Sequence, residues 1–307
     1  MSAPVSVTVR AAAKINLHLG VGPVRADGYH PLTTVYQAIG LYEDVTATRA
    51  DAWSVHTIAD AGIDLDGVPG DESNIAIRAG QALAAHHGLA DQAAHLEVHK
   101  GIPVAGGLAG GSADAAAALV ALDRLWELET SDDDLLAIAA TLGSDVPFAL
   151  LGGTAIGTGR GEFVEPLENH ADLWWLVIPS EIGLSTPQVY RKYDELAPAD
   201  VAGDAHPGDL VAALASGDAG AVIGALDNDL TAPAYALRHD LGARVDELTA
   251  LLGAGIRVLL SGSGPTQLVP YAALEPARLA AARLTDAGIA HWLAPAPVAG
   301  VHVVHYD

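Results

Sequence analysis

Val5, Val7 and Val9 alternate with polar residues, the period of a strand with one buried face. Ile15–Val21 continues in extended style, and Pro31 pushes His30 out of helical backbone, so Tyr29-His30-Pro31 marks a turn. Val35–Ile39 and Asp44–Arg49 are read as two further strands. From Asn74 to His87 the period becomes helical, with Ile75, Ile77, Ala82 and Leu83 on one side and Gly88 as the stop. "HLEVHK" alternates again, four glycines follow, and a helix is predicted from about Ala113 to Leu128. Ser131 ahead of Asp132, Asp133 and Asp134 starts another helix, which stops near Gly143. "GGTAIGTGRGEFV" reads as a glycine-rich hairpin.

The pattern restarts after about residue 168. "LWWLVIP" is a buried strand, Gln188–Leu196 a short helix and "APADVAGDAHPGD" a loop. Helices follow near 208–216, 218–226 and 237–252; "IRVLLSGSGPTQLVPY" holds two strands around a glycine turn. Leu274–Asp286 is helical, and strands near Trp292 and Val301–His305 end the chain. Strands gather in hairpins instead of alternating strictly with helices. This favours an α+β fold with mixed sheets over a doubly wound parallel sheet. Two domains are expected, 1–167 and 168–307.

Composition narrows the function classes. The 307 residues are half hydrophobic, enough for a sizeable core. The net charge of −23, with lysine only at positions 14, 100 and 192, disfavours nucleic acid and anionic membranes as partners. It also disfavours anionic substrates at long range, so a phosphate site must be organised locally. With no cysteine there is no disulfide, no thiolate chemistry and no cysteine-based zinc site. The first residues lack the apolar core of a signal peptide, and uncharged runs such as Val258–Leu274 are broken by Gly, Pro, Ser and Gln, so no membrane span is expected. A cytoplasmic protein, monomer or homodimer, is the expectation.

Four segments carry candidate chemistry. The first is "AGGLAGGSADAAAALVAL", beginning at Ala105. No Gly-Lys pair exists in the chain, which excludes a Walker A loop, and Gly106, Gly107, Gly110 and Gly111 lack the dinucleotide spacing. A glycine turn that aims helix N-terminal amides at a phosphate remains, beside a plain tight turn. Ser112 could cap that helix or touch the phosphate. Asp114, in the first helical turn, would compete with phosphate unless it points away. The second segment is "AAAKINLHLGVGPVRADGYH", where Lys14 sits in an apolar strand and needs an anionic partner. Its turn presents Arg25, Asp27, Tyr29 and His30, suited to a flat heterocycle. The third is "LGSDVPF": Asp145 is either a general base or metal ligand, or the cap of the next helix. The fourth, "LLSGSGPT", is a second glycine turn that could close over the first site. His95, Glu97 and His99 share one strand face and are read as solvated rather than metal-binding, and Trp174-Trp175 as core.

Together these motifs resemble the galactokinase–homoserine kinase–mevalonate kinase–phosphomevalonate kinase superfamily. Pro103-Val104-Ala105-Gly106-Gly107-Leu108-Ala109-Gly110-Gly111-Ser112-Ala113 matches its central signature, and Ser261-Gly262-Ser263-Gly264 its C-terminal glycine motif. The segments around Lys14 and Asp145 look like the branch whose alcohol carries a cytidine diphosphate. The resemblance spans nearly the whole chain. It implies a ribosomal-protein-S5-like N-terminal domain, a ferredoxin-like C-terminal domain and a small-molecule kinase using ATP and Mg²⁺. The acceptor implied is the tertiary 2-hydroxyl of a methylerythritol, in the non-mevalonate route to isoprenoid precursors. By the same resemblance Asp145 is the base, Lys14 its neighbour, and residues 103–113 hold ATP. Asn16, Tyr29, His30, Thr186, Tyr190, Gly262 and Ser263 would contact the substrate, with Tyr29 stacking on cytosine. The loop has a single hydroxyl, at Ser112, where relatives pair two serines; the Mg²⁺ ligands are left unassigned and a water-held ion is expected. A sister mevalonate or homoserine kinase, or a non-catalytic sensor on the same fold, are the alternatives.

Overall fold

The computed structural model describes residues 4–89, 91–104, 106–196 and 206–307. The first half runs β1 (Ser6–Val21), β2 (Leu32–Ala50), β3 (Ser54–Ala59), α1 (Ile75–His86), β4 (Ala93–Lys100), α2 (Gly110–Trp126), α3 (Asp132–Leu142), α4 (Val146–Leu151), β5 (Thr154–Thr158) and β6 (Phe163–Pro166). The second runs β7 (Leu173–Ile178), α5 (Thr186–Leu196), α6 (Gly208–Ser216), α7 (Ala219–Gly224), β8 (Asp227–Asn228), α8 (Thr231–Leu237), α9 (His239–Leu252), β9 (Leu259–Leu260), β10 (Gln267–Tyr271), α10 (Leu274–Asp286), β11 (Trp292–Ala296) and β12 (His302–Tyr306).

Two sheets organise these elements. The larger has the order β12-β1-β2-β4-β3, with β5 and then β6 beside the early part of β2 and the short β8 beside β1. The smaller is antiparallel, β11-β7-β10-β9. The fold is thus α+β with mixed sheets, as the clustering of strands implied. The last strand returns to the first sheet, where Val7 faces Tyr306.

β1 is one long strand, and β2 is one where the sequence pattern suggests two. The pairing steps from Ala12↔Tyr42 to Ala13↔Ile39, so Gly40 and Leu41 bulge out of β2. A bulge shifts the alternation by adding residues to one strand, which from the sequence resembles a strand break. Burial on both faces also erases alternation: Ala11 to Leu17 is buried without interruption.

α2 explains part of that burial. Ala115 to Leu119 are all fully buried, and their small side chains let the helix lie close to the sheet. It starts at Gly110, three residues earlier than its apolar run suggested, after Ala109 in a left-handed conformation (φ 59°). Ser131 caps α3 as expected, accepting from the Asp134 amide at 3.2 Å. A single large core cluster joins the halves, including Ile15 and Leu119 from one and Trp175 and Leu214 from the other. Within it the Trp175 indole donates to Gln37 Oε1 at 3.2 Å. The predicted loop at 197–209 falls largely outside the described residues, as does Ala105.

Candidate active site

Lys14 and Asn16 lie two residues apart on β1 and so project to the same face. The Lys14 ammonium donates to Asn16 Oδ1 at 2.9 Å, and the Asn16 amide to Thr34 Oγ1 at 2.7 Å. The same ammonium is 3.5 Å from Asp145 Oδ2 and 5.6 Å from the centre of the Tyr36 ring. Lys14 therefore has the anionic partner its apolar surroundings require. Asp145 occupies the N-cap position of α4 but its carboxylate makes no capping bond. The capping alternative for this residue fails, and the carboxylate is left facing Lys14.

Two glycine turns meet beside this pair. The Lys14 backbone N–H donates to Leu108 O at 3.1 Å, fixing the strand to the first turn. Ser261 Oγ donates to Gly107 O at 3.0 Å, and Asn228 donates to the carbonyls of Leu260 and Gly262. The contact is backbone on backbone. A Cβ on Gly107 (φ 84°) would stand 2.3 Å from Ser261 O, and one on Gly264 2.6 Å from Gly106 O. Only glycine allows this approach without displacement. The second turn therefore packs directly against the first.

The pair sits where two cavities join. One, of about 400 Å³, is lined by Pro103, Gly106 to Gly111, Leu184 and Gly264. The other, of about 540 Å³, is lined by Asn16, Tyr29, His30, Tyr36, Tyr190 and Arg191, among others. Lys14, Asp145, Thr186 and Ser263 border both. Thr186 and Ser263 share a hydroxyl hydrogen bond of 2.7 Å. A third cavity of about 260 Å³ opens beyond Gly110 and Gly111, between Val104, Ser73, Asn74 and Lys100.

The wall of the larger cavity is aromatic. His30 is 7% exposed; its Nδ1 lies 2.8 Å from Gly22 O and its ring stacks on Tyr190 at 5.3 Å. Asp194, one turn beyond Tyr190, lies 3.4 Å from His30 Nε2. Burial, then the charge of Asp145, raises the hydroxyl pKa of both Tyr36 and Tyr190, so both phenols remain donors at neutral pH. Tyr29 is 54% exposed, and the Arg160 guanidinium lies over its ring at 5.3 Å.

Other expected site residues fall elsewhere. Ser112 is not the cap of α2: it is the third residue of the helix and half-buried. Ala113 is fully buried in the core. Asp114 points away from the loop into a buried cluster, where Lys100 Nζ lies 2.7 Å from both Asp114 Oδ2 and Glu43 Oε1. Glu43 Oε2 accepts from the Gly101 amide at 2.9 Å. Burial, then the Asp114 charge, pushes the Glu43 carboxyl up to about 8; burial raises Asp114 to about 6 against the pull of Lys100. A Cβ on Gly110 would meet Glu43 Oε1 at 2.9 Å, so the cluster abuts the first residue of α2. His95 and His99 pair separately, with Ser54 and Asp60. No group of three or more acidic or histidine side chains fit to hold a metal occurs among the described residues, and no helix there is long and apolar enough to cross a membrane.

Tyr36, Arg160, Arg191, Asp194 and the Glu43–Lys100–Asp114 cluster were not anticipated as site elements. Tyr36 faces Asn16 across the β1–β2 pairing, a relation visible only once the bulge fixes the register.

Comparison with known proteins shows the family. Residues 74–153 match the GHMP kinases N terminal domain. The chain is 56% identical over 300 residues to 4-diphosphocytidyl-2-C-methyl-D-erythritol kinase of Nocardioides sp., covering 97% of this chain and all of the relative. It is 49% identical to the enzyme of that name from Thermobifida fusca, over 94% of each chain. A crystal structure of 4-(cytidine 5'-diphospho)-2C-methyl-D-erythritol kinase superposes with a TM-score of 0.75 at 32% identity, over 95% of this chain and 99% of the other. Homoserine kinase from Cytophaga hutchinsonii, at 19% identity and a TM-score of 0.73 over 99% of each chain, shares the fold. The chain belongs to the 4-diphosphocytidyl-2-C-methyl-D-erythritol kinase family, within the GHMP kinases.

Proposed function

We propose that this chain transfers the γ-phosphoryl group of ATP to the 2-hydroxyl of 4-diphosphocytidyl-2-C-methyl-D-erythritol, a step of non-mevalonate isoprenoid precursor synthesis. The observation that carries the proposal is the placing of Lys14 and Asp145 where the glycine-lined and the aromatic-lined cavities join. The first cavity takes the triphosphate. There the N–H groups at the start of α2 have no acceptor within the helix and carry the positive end of its dipole. The third cavity, across Gly110 and Gly111, is the adjoining space for the nucleoside. The aromatic cavity takes the cytidylated alcohol, with the base between His30, Tyr190 and the free face of Tyr29.

Phosphoryl transfer depends on alignment and charge stabilisation more than on covalent chemistry. Asp145 accepts the proton of the attacking hydroxyl. Lys14, held by Asn16, stabilises the charge that develops as the phosphoryl group crosses from one cavity to the other. Asp145, the one carboxylate among the described residues that borders both cavities, fits Mg²⁺ held otherwise by phosphate oxygens and water. When bound, that ion neutralises phosphate charge.

A substrate panel tests the assignment. ATP consumption should require the cytidylated alcohol, with methylerythritol phosphate, mevalonate and homoserine turning over poorly. Equal use of an acceptor lacking cytidine would point to a sister kinase. No ATP consumption with any acceptor would leave a sensor on the same fold.

A further inference from the structure

The cations around the aromatic cavity differ in what they already hold. Lys14 is engaged by Asp145 and Asn16. Arg160 pairs with Glu162 at 3.3 Å and covers the Tyr29 ring. Arg191 lines the same cavity yet makes no ion pair or hydrogen bond with the described residues. An uncommitted guanidinium in a substrate cavity is notable in a chain of net charge −23, which has no general attraction for anions.

Its place along α5 is informative. Thr186, Pro187, Tyr190, Arg191 and Asp194 line the cavity from one face of this helix. Thr186, at the start, borders both cavities and is bonded to Ser263 of the second glycine turn. Tyr190 and Asp194, further on, flank His30. The helix thus runs from the transfer point to the base-binding end, a span of about 12 Å from Thr186 to Asp194 at its usual rise. A cytidylated alcohol whose base is held at Tyr190 carries its two phosphates next to that nucleoside, and Arg191, which follows Tyr190 on the cavity wall, is an uncommitted cation beside it.

We infer that Arg191 is a specificity-determining residue that binds the diphosphate bridging the cytidine and the alcohol of the acceptor. The inference rests on the acceptor proposed above. A guanidinium suits the role because its planar fork can donate to two phosphate oxygens at once. The site would then recognise three features by separate groups: base by the aromatic wall, diphosphate by Arg191, and reacting hydroxyl by Asp145.

The test compares the binding of cytidine and of cytidine diphosphate by calorimetry, in the full-length parent and in Arg191→Gln. Charge-assisted hydrogen bonds are expected to make the diphosphate bind roughly 10–100-fold more weakly to the variant. Cytidine should bind the variant within about twofold of the parent, because the base wall is untouched; Arg191→Lys should recover part of the lost preference. Unchanged diphosphate affinity in Arg191→Gln, or an equal fall for both ligands, would overturn the inference. If the parent protein bound neither ligand, the proposed acceptor itself would be wrong, a failure separate from that of Arg191.

Discussion

Replacing Lys100 with methionine removes the cation that holds two buried carboxyl groups beneath the phosphate loop. Glu43 is fully buried and Asp114 nearly so, and each lies 2.7 Å from the Lys100 ammonium. Breaking a buried ion pair by deleting one partner typically costs about 3–5 kcal/mol, because the remaining charge is left unpaired. That is a large share of an ordinary fold stability of about 5–15 kcal/mol. Glu43→Gln should behave differently. With its carboxyl pushed up from 4.5 to about 8, Glu43 holds a proton at neutral pH, and Asp114 alone balances Lys100. A neutral glutamine should then cost no more than about 1–2 kcal/mol at pH 6.5. The sign of the pH effect is fixed by the upward shift. Glu43 contributes stability fully below 4.5, and this is lost as pH rises through about 8. The glutamine cannot ionise, so the difference between parent and Glu43→Gln should narrow with rising pH and reverse near pH 9. Urea unfolding followed by circular dichroism at pH 6.5, 8 and 9 measures this. A Glu43→Gln variant as unstable as Lys100→Met at pH 6.5, or one whose deficit grows with pH, would refute a protonated Glu43.

Two further changes probe the loops and the aromatic wall. Gly107→Ala puts a methyl 2.3 Å from Ser261 O at a backbone φ of 84°, so the two turns must separate. Left-handed strain and overpacking together cost about 2–5 kcal/mol; kcat/KM for ATP should fall at least roughly tenfold, and unchanged kinetics would mean the turns do not act as a unit. Tyr190→Ala removes the ring stacked on His30. By the usual worth of base–aromatic stacking, about 1–3 kcal/mol, KM for the cytidylated alcohol should rise roughly 5–150-fold; a matching rise in KM for ATP would show that the variant acts on the whole cleft instead.

Much of this arrangement was legible in the sequence, because its signals are local. The alternation at Val7 and Val9, the Ser131 cap and the glycine hairpin depend on near neighbours, and each appears as an element. Lys14 stood out because an ammonium in an apolar strand needs a partner. What was hidden depends on register and distance. The bulge at Gly40–Leu41 made one strand resemble two and concealed Tyr36 opposite Asn16. Asp114 could be seen near the phosphate loop, but its partners Lys100 and Glu43 come from two different strands. Ser112 looked like a cap because the helix was expected to begin after it; Gly110 and Gly111 instead join the first turn, since Ala109 supplies the left-handed entry. Arg191 had no signal at all, for its relevance comes from the face of α5 that the packing of Val189 and Tyr193 leaves toward the cavity.

The assignment of Lys14 and Asp145 as the transfer centre is tested most directly by Asp145→Asn, assayed for phosphoryl transfer to the cytidylated alcohol alongside ATP affinity by calorimetry. Asparagine keeps the shape but cannot accept the hydroxyl proton. A general base is typically worth about 10²–10⁴-fold, so transfer should fall by at least roughly 10²-fold while ATP binds within a few-fold of the parent. Turnover near the parent rate in that variant would contradict the role of Asp145 and, with it, the proposed centre.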